Sequence, residues 1–259
     1  MTKILVRSIT KDFAAKDGSK VGALSGVSLS VNDGEFVSIV GPSGCGKSTL
    51  LYIVGGFIPP TSGEVLLNGV PVERPGRDRG IVFQEYALFP WRTVLENITY
   101  GLEEMGLSRP EGTARATRLV HLMGLTGFEN KYPRELSGGM KQRVAIARTL
   151  AYDPEVLLMD EPFAALDAQT RELMQEELLR TWREHKKTVL FVTHNVEEAV
   201  YLSQRVYVMS SRPGAIVKEF AVDVDMSRSR EEISLSPEFN DLRNKVWLEV
   251  RQQVLRSRT

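Results

Sequence analysis

The stretch GPSGCGKS, residues 41–48, limits what this chain can fold into more than any other. It has the spacing G-x-x-x-x-G-K-[ST], and each residue type in it has a physical reason. Gly41, Gly44 and Gly46 let backbone N–H groups turn inward around phosphate oxygens, with Pro42, Ser43 and Cys45 completing the loop. The run SIVG ahead of the loop reads as a buried strand, and KSTLLYIVGG behind it reads as a helix that stops at Gly55 and Gly56. A helix starting near Lys47 aims its positive end at the loop. Lys47 adds a mobile cation for β- and γ-phosphates. The Ser48 hydroxyl is a hard oxygen ligand suited to Mg²⁺, and Thr49 follows in the same binding stretch. Cys45 reads as a small filler whose thiol bound nucleotide should shield.

Around this loop the strands and helices alternate. KILVRSI and the two runs of VGALSGVSLSVNDGEFVSIVG are β-rich, the latter split by the turn signal Asn32, Asp33, Gly34. TSGEVLLNGVPV reads as a hairpin and GIVFQ as a buried strand. The period is helical in TVLENITYGLEEM, ARATRLVHLMG and GMKQRVAIARTLA. After Asp153 and Pro154 come EVLLMD, the helix LDAQTRELMQEELLRTWREH, the strand TVLFVTH, a helix from Val196 and the strand VYVMS. Strands alternating with helices predict an α/β fold with a mostly parallel sheet, an N-terminal antiparallel part and an inserted helical subdomain. The predicted boundaries are a nucleotide-binding domain over 1–225, with its core in 1–85 and 153–225 and its helical subdomain in 86–152. A helical tail follows over 226–259. In the tail, Ser236 is placed as an N-cap with Pro237 at the first helical position. Phe239, Leu242, Val246, Val250 and Val254 then mark one face, expected to pack on the parent domain.

Composition narrows the partners. The 259 residues carry 33 Lys plus Arg and 33 Asp plus Glu, so the formal charge is 33 − 33 = 0. That argues against a nucleic-acid partner, which calls for a basic excess. Cys45 is the one cysteine, so no intrachain disulfide can form. MTKILVRSITKDF has no apolar stretch of signal-peptide length. No apolar run approaches the ~18 residues of a membrane span. A soluble chain is expected, held at any membrane by a partner.

EVLLMDEP places Asp160 at the end of a buried strand, with Glu161 next. An acid at such a strand end holds Mg²⁺ in nucleotide-hydrolysing folds of this type. One residue on, Glu161 is placed to polarise the attacking water. A correctly placed base is worth about 10²- to 10⁴-fold in rate.

GPSGCGKS, LSGGM (136–140), LLMDEP, ALD (165–167) and TH (193–194), in this order, resemble the ATPase subunit of ABC transporters. The resemblance runs from about Ile4 to Val224. It implies ATP with Mg²⁺ as cofactors, and a head-to-tail dimer with a second copy of the chain. In that dimer Ser137, Gly138 and Gly139 of one copy close on the γ-phosphate held by the other copy's loop, at a helix N-terminus. Met140 departs from the family's LSGGQ and should leave the glycine amides free. The same resemblance implies that Gln84 contacts Mg²⁺ or water and senses the membrane partner. It implies that His194 contacts the γ-phosphate, that Asp167 crosses the dimer interface and that Phe13 stacks on adenine. Base stacking of that kind is worth about 1–3 kcal/mol. The alternative for Phe13 is a core aromatic.

QEYALFPWRTVLENI is dense in apolar groups: Tyr86, Leu88, Phe89 and Trp91. They read either as core joining the helical insert to the sheet or, by the resemblance, as the rim of a groove for a cytoplasmic helix of the permease. VYVMSSRPGAIVKEF with FQEYALFPW resembles the nitrate/sulfonate/taurine importer branch. That implies permease subunits in the membrane, an external solute-binding protein and a place at the cytoplasmic face. Only 35 residues follow Val224 (259 − 224), which leaves no room for the large regulatory domain of sugar-importer ATPases. The alternatives are an exporter ATPase, a soluble ABC-type ATPase acting on DNA or ribosomes, and a non-enzymatic nucleotide sensor.

Overall fold

The computed structural model describes residues 1–15, 18–225 and 228–256. The strands are β1 (Thr2–Ala14), β2 (Lys20–Asn32), β3 (Phe36–Val40), β4 (Ser62–Leu67), β5 (Val70–Pro71), β6 (Arg79–Val82), β7 (Val156–Asp160), β8 (Thr188–Val192), β9 (Arg205–Met209) and β10 (Ile216–Ala221). The helices are α1 (Lys47–Val54), α2 (Val94–Glu104), α3 (Arg109–Leu122), α4 (Gly138–Ala151), α5 (Ala168–His185), α6 (Val196–Leu202), α7 (Arg230–Leu235) and α8 (Pro237–Arg256). They divide into two compact units, one of Met1–Gly76 with Thr181–Thr259, the other of Arg77–Arg180. The α/β fold with an antiparallel N-terminal part is the one the alternating pattern predicts.

In the first unit, β2, β1, β4 and β5 form an antiparallel sheet in that order. The β1–β2 register pairs Val6 with Leu29 and Ile4 with Val31, and all four are buried. Separately, β3 lies parallel between β8 and β9, with Ile39 opposite Val192 on one side and Tyr207 on the other. Every residue of β3 and β8 is buried. A parallel strand covered on both faces reads as an unbroken apolar run, which is how FVSIV and TVLFV stand in the chain. Arg205 locks the edges together. Its Nη2 donates to Glu35 Oε2 at 2.7 Å and to the Ser30 carbonyl at 2.8 Å, and its Nη1 donates to Glu219 at 3.0 Å.

The tail packs as its apolar face predicts. Ser236 Oγ accepts from Phe239 N at 3.3 Å at the start of α8, Phe239 and Val246 are buried, and the helix lies on α6 and β9. Residues 226, 227 and 257–259 of the predicted tail lie outside the described residues. Among those described, no helix is long and apolar enough to cross a membrane.

In the second unit, β6 and β7 are parallel, with Val82 opposite Met159, and α2, α3 and α4 pack on one another. Helix α2 starts on a capping box: Thr93 Oγ1 accepts from Glu96 N, and Glu96 Oε2 accepts from Thr93 N at 2.8 Å. Helix α3 starts earlier than the run ARATRLVHLMG suggests. Glu111 Oε2 accepts from Ser108 N at 3.2 Å and from the Ser108 hydroxyl at its start, with Pro110 in the first turn. Those local bonds outweigh the poor helix propensity of Gly112.

Candidate functional site

In the first unit the phosphate-binding loop stands between β3 and α1, as the spacing predicts. Gly46 has φ 102° and caps α1. A Cβ there would lie 2.7 Å from Leu24 Cδ2 and 2.9 Å from the Ala23 carbonyl, so only glycine fits. Gly44 has φ 74° with open space where a Cβ would be, and Ser43 and Gly44 are exposed at the mouth. Lys47 is buried, and its ammonium donates to the carbonyls of Gly41 and Pro42, both at 3.0 Å. The cation is thereby held on its own loop by two neutral acceptors. Ser48 and Thr49 lie in the first turn of α1, both half-buried.

Cys45 is 1% exposed, and burial pushes its thiol pKa up. The expected nucleotide-shielded thiol is therefore corrected: the protein already shields it. Iodoacetamide at pH 8 should label Cys45 far more slowly than a free cysteine, with or without ATP, until denaturant is added. Equal rates in native and unfolded protein would refute this.

His194 follows β8, in a turn held by its neighbours. Thr193 N donates to the Ile39 carbonyl at 3.2 Å, which sets the turn beside the end of β3, where the loop begins. Thr193 Oγ1 donates to the buried Glu198 at 2.7 Å, and Asn195 caps α6 by accepting from Glu197 N at 2.9 Å. The histidine itself is exposed. Phe13 on β1 is 38% exposed, with the Lys11 ammonium 5.1 Å from its ring centroid. It presents a face at the surface rather than filling the core.

One residue of this half escaped the sequence reading. A Cβ on Gly214 would sit 2.0 Å from the Cys45 carbonyl oxygen and 2.6 Å from Met209 Cε. Gly214 N donates to Ala23 O and its carbonyl accepts from Ser25 N, both at 2.9 Å. The segment RPG therefore backs the phosphate loop. Gly214→Ala should cost about 1–3 kcal/mol of stability and weaken nucleotide binding. Denaturant unfolding and nucleotide titration would measure this, and an unchanged midpoint would contradict it.

In the second unit, Gln84 and Asp160 stand at the same end of the parallel β6–β7 pair, Gln84 exposed and Asp160 fully buried as the last residue of β7. Glu161 follows with φ 46°, a left-handed conformation that a non-glycine residue holds only where its surroundings impose it. Phe163, 0% exposed, anchors the turn, and the Ala164 amide donates to the Glu161 carbonyl at 3.1 Å. Asp167 Oδ1 then caps α5, accepting from Thr170 N at 3.0 Å, and this bond lowers its pKa.

The second glycine stretch opens a helix as predicted. Ser137 is the N-cap of α4 and accepts from Met140 N at 3.2 Å. Capping uses a lone pair of the hydroxyl and leaves its proton for another acceptor. Met140 contributes its own amide to the cap, while Gly138 and Gly139 begin the helix. A Cβ on Gly139 would lie 2.9 Å from Leu166 Cδ2, so this cradle abuts the segment that ends in Asp167.

The stretch after Gln84 divides between half-buried and exposed groups. Leu88 and Phe89 are half-buried, with Phe89 4.7 Å from Tyr100 ring to ring, while Trp91 is 71% exposed. Trp91 lines an open groove of about 610 Å³ with Arg92, Leu95, Glu96, Thr99 and Glu103.

The ABC transporter family profile matches residues 24–164. An ABC transporter ATP-binding protein of Methanocaldococcus jannaschii, MJ0412, is 54% identical over 98% of this chain and 94% of its own length. The nitrate import ATP-binding protein NrtD of Synechocystis is 49% identical over 90% of each chain. The taurine import ATP-binding protein TauB of Rhizobium johnstonii is 49% identical over 90% of this chain and 91% of its own. Among solved structures, the dimeric bacterial ABC transporter cassette MJ0796 superposes with a TM-score of 0.78 at 36% identity, covering 85% of this chain and 98% of that one.

Proposed function

Since the chain belongs to the ABC transporter family as an ATP-binding ATPase, we propose that it powers import of a small anion of the nitrate, sulfonate or taurine type. The observation that carries the mechanism is the presence of two phosphate-directed cradles on one chain. One is the loop 41–48; the other is the N-terminus of α4. A single γ-phosphate needs one of each, so two copies arranged head to tail complete two sites, each giving one cradle and taking one. ATP then bridges the copies, and loss of the γ-phosphate releases them.

The residue roles follow the motif order. Gly41, Pro42, Ser43, Gly44, Cys45, Gly46, Lys47, Ser48 and Thr49 take the phosphates, and Phe13 stacks on the base. Ser137, Gly138 and Gly139 take the second copy's γ-phosphate beside Asp167. Glu161 receives the proton of the attacking water, and His194 holds the γ-phosphate. Ser48, Asp160 and Gln84 offer hydroxyl, carboxylate and amide oxygens, a donor set that fits Mg²⁺. The ion would neutralise charge on the β- and γ-phosphates.

Relatives whose names carry import of nitrate and of taurine support the import direction, and the rest of the assembly is part of the proposal. The exposed Trp91 groove receives the permease, the permease meets an external solute-binding protein, and the chain sits at the cytoplasmic face of the membrane. Affinity purification of the tagged chain from its native membranes, with mass spectrometry of what accompanies it, tests this. A multi-span permease and an exported binding protein are expected. A membrane protein alone would favour export, and ribosomes or DNA with no membrane protein would overturn the transport reading.

A further inference from the structure

The segment that follows Gln84 is fixed to helix α4 at two points about ten residues apart. At the start of the helix, a Cβ on Gly138 would lie 2.9 Å from Tyr86 Oη, so the tyrosine closes over the first glycine of the cradle. Towards the other end, Arg148 Nη1 donates to the Ala87 carbonyl at 2.7 Å, and Nη2 donates to the Tyr86 carbonyl at 3.3 Å. The guanidinium also lies 5.8 Å from the Phe89 ring centroid. Ala87 has φ 47°, a left-handed conformation that persists in a non-glycine residue only where it is imposed from outside. The far side of the segment is equally fixed. The fully buried Asn97 accepts from Phe89 N at 2.9 Å and donates to the carbonyls of Phe89, Arg92 and Thr93.

Exposed loop carbonyls ordinarily turn to water. In this segment two successive carbonyls instead take a half-buried cation, and burial lowers that cation's pKa. A charge is withdrawn from water only where its bonds compensate. A segment held this way cannot move without moving α4, and the N-terminus of α4 is the cradle of Ser137, Gly138 and Gly139.

We infer that Arg148 is a positioning residue that makes the 84–91 segment and the α4 cradle one rigid piece, so that the cradle is held in place for a second copy's nucleotide only while the segment stays anchored. The inference rests on the proposed reading that this cradle closes on a second copy's nucleotide.

The test uses the full chain carrying Glu161→Gln, with Arg148→Gln, Arg148→Lys or Tyr86→Ala added. Hydrogen exchange is read at 84–93 and 136–142, dimerisation with ATP by sedimentation, and monomer affinity with a fluorescent ATP analogue. Arg148→Gln should speed exchange in both segments and raise the ATP needed for dimerisation, each by about tenfold, the scale of lost charge-assisted bonds. Monomer affinity should stay within about twofold, since Arg148 bonds to the loop and not to the phosphate site. Arg148→Lys, which keeps a cation able to reach one carbonyl, should recover part of each effect. Tyr86→Ala removes only the contact over Gly138 and should loosen 136–142 alone; if Arg148→Gln does not fold, Arg148→Lys decides the matter, since it should still loosen both segments in part. Loosening of 84–93 with 136–142 and dimerisation unchanged would overturn the inference. Should the Glu161→Gln parent itself fail to dimerise with ATP, the proposed function fails, and the paired exchange rates alone still decide the role of Arg148.

Discussion

Replacing Glu161 by glutamine should leave ATP bound, lower turnover by about 10²- to 10⁴-fold and trap a dimer that the unaltered chain forms only transiently. The amide matches the carboxylate in size and carries the same left-handed backbone at φ 46° without added cost, so the turn before Phe163 survives. What disappears is the capacity to take a proton from water. With the γ-phosphate retained, both cradles stay engaged. Steady-state phosphate release and sedimentation with ATP check both halves of the expectation. Undiminished turnover would mean that another group takes the proton and that Glu161 is not the base.

Shared sites make a second large effect measurable. Lys47→Ala removes the cation from the loop, and Ser137→Arg fills the α4 cradle with a bulky charge. Each variant alone should lose at least about a hundredfold in activity, the scale of one lost charge-stabilising group. Mixed in equal amounts they should regain up to about a quarter of the unaltered rate, because half the dimers are mixed and each mixed dimer has one intact site of two. Lys47→Ala contributes a sound cradle, and Ser137→Arg contributes a sound loop. ATPase assays of each variant and of the mixture decide it. If both cradles served a nucleotide on their own chain, mixing would restore nothing.

Much of the candidate site was legible because its chemistry is local. GPSGCGKS, the Asp160, Glu161 pair after an apolar strand, and Ser137 ahead of two glycines are short segments whose own hydrogen bonds and strand or helix ends set their geometry. Alternation and 3.6-residue periods likewise marked β3, β8, α2 and α4, since burial of one stripe or of a whole strand dictates the residue types. The β10 strand went unseen, and α7 was not separated from the helical tail predicted over 226–259. Their short polar segments, REEISL and IVKEFA, have little periodicity, and β10 exists because β9 offers it an edge, Phe220 opposite Val206.

Local pattern alone was enough to mark an α/β protein, a glycine loop of phosphate-binding spacing between a strand and a helix, and a second helix opening on Ser137, Gly138 and Gly139. These follow from contacts within a few residues of each other. Long-range packing, by contrast, sets Gly214 behind the phosphate loop, buries Cys45, and puts Arg148 on the Tyr86 and Ala87 carbonyls, 62 and 61 residues away. Each of these depends on which distant backbone atom comes to lie beside the residue. Nothing in the local pattern of a glycine, a cysteine or a helical arginine records that neighbour, because packing sets it after the elements have formed.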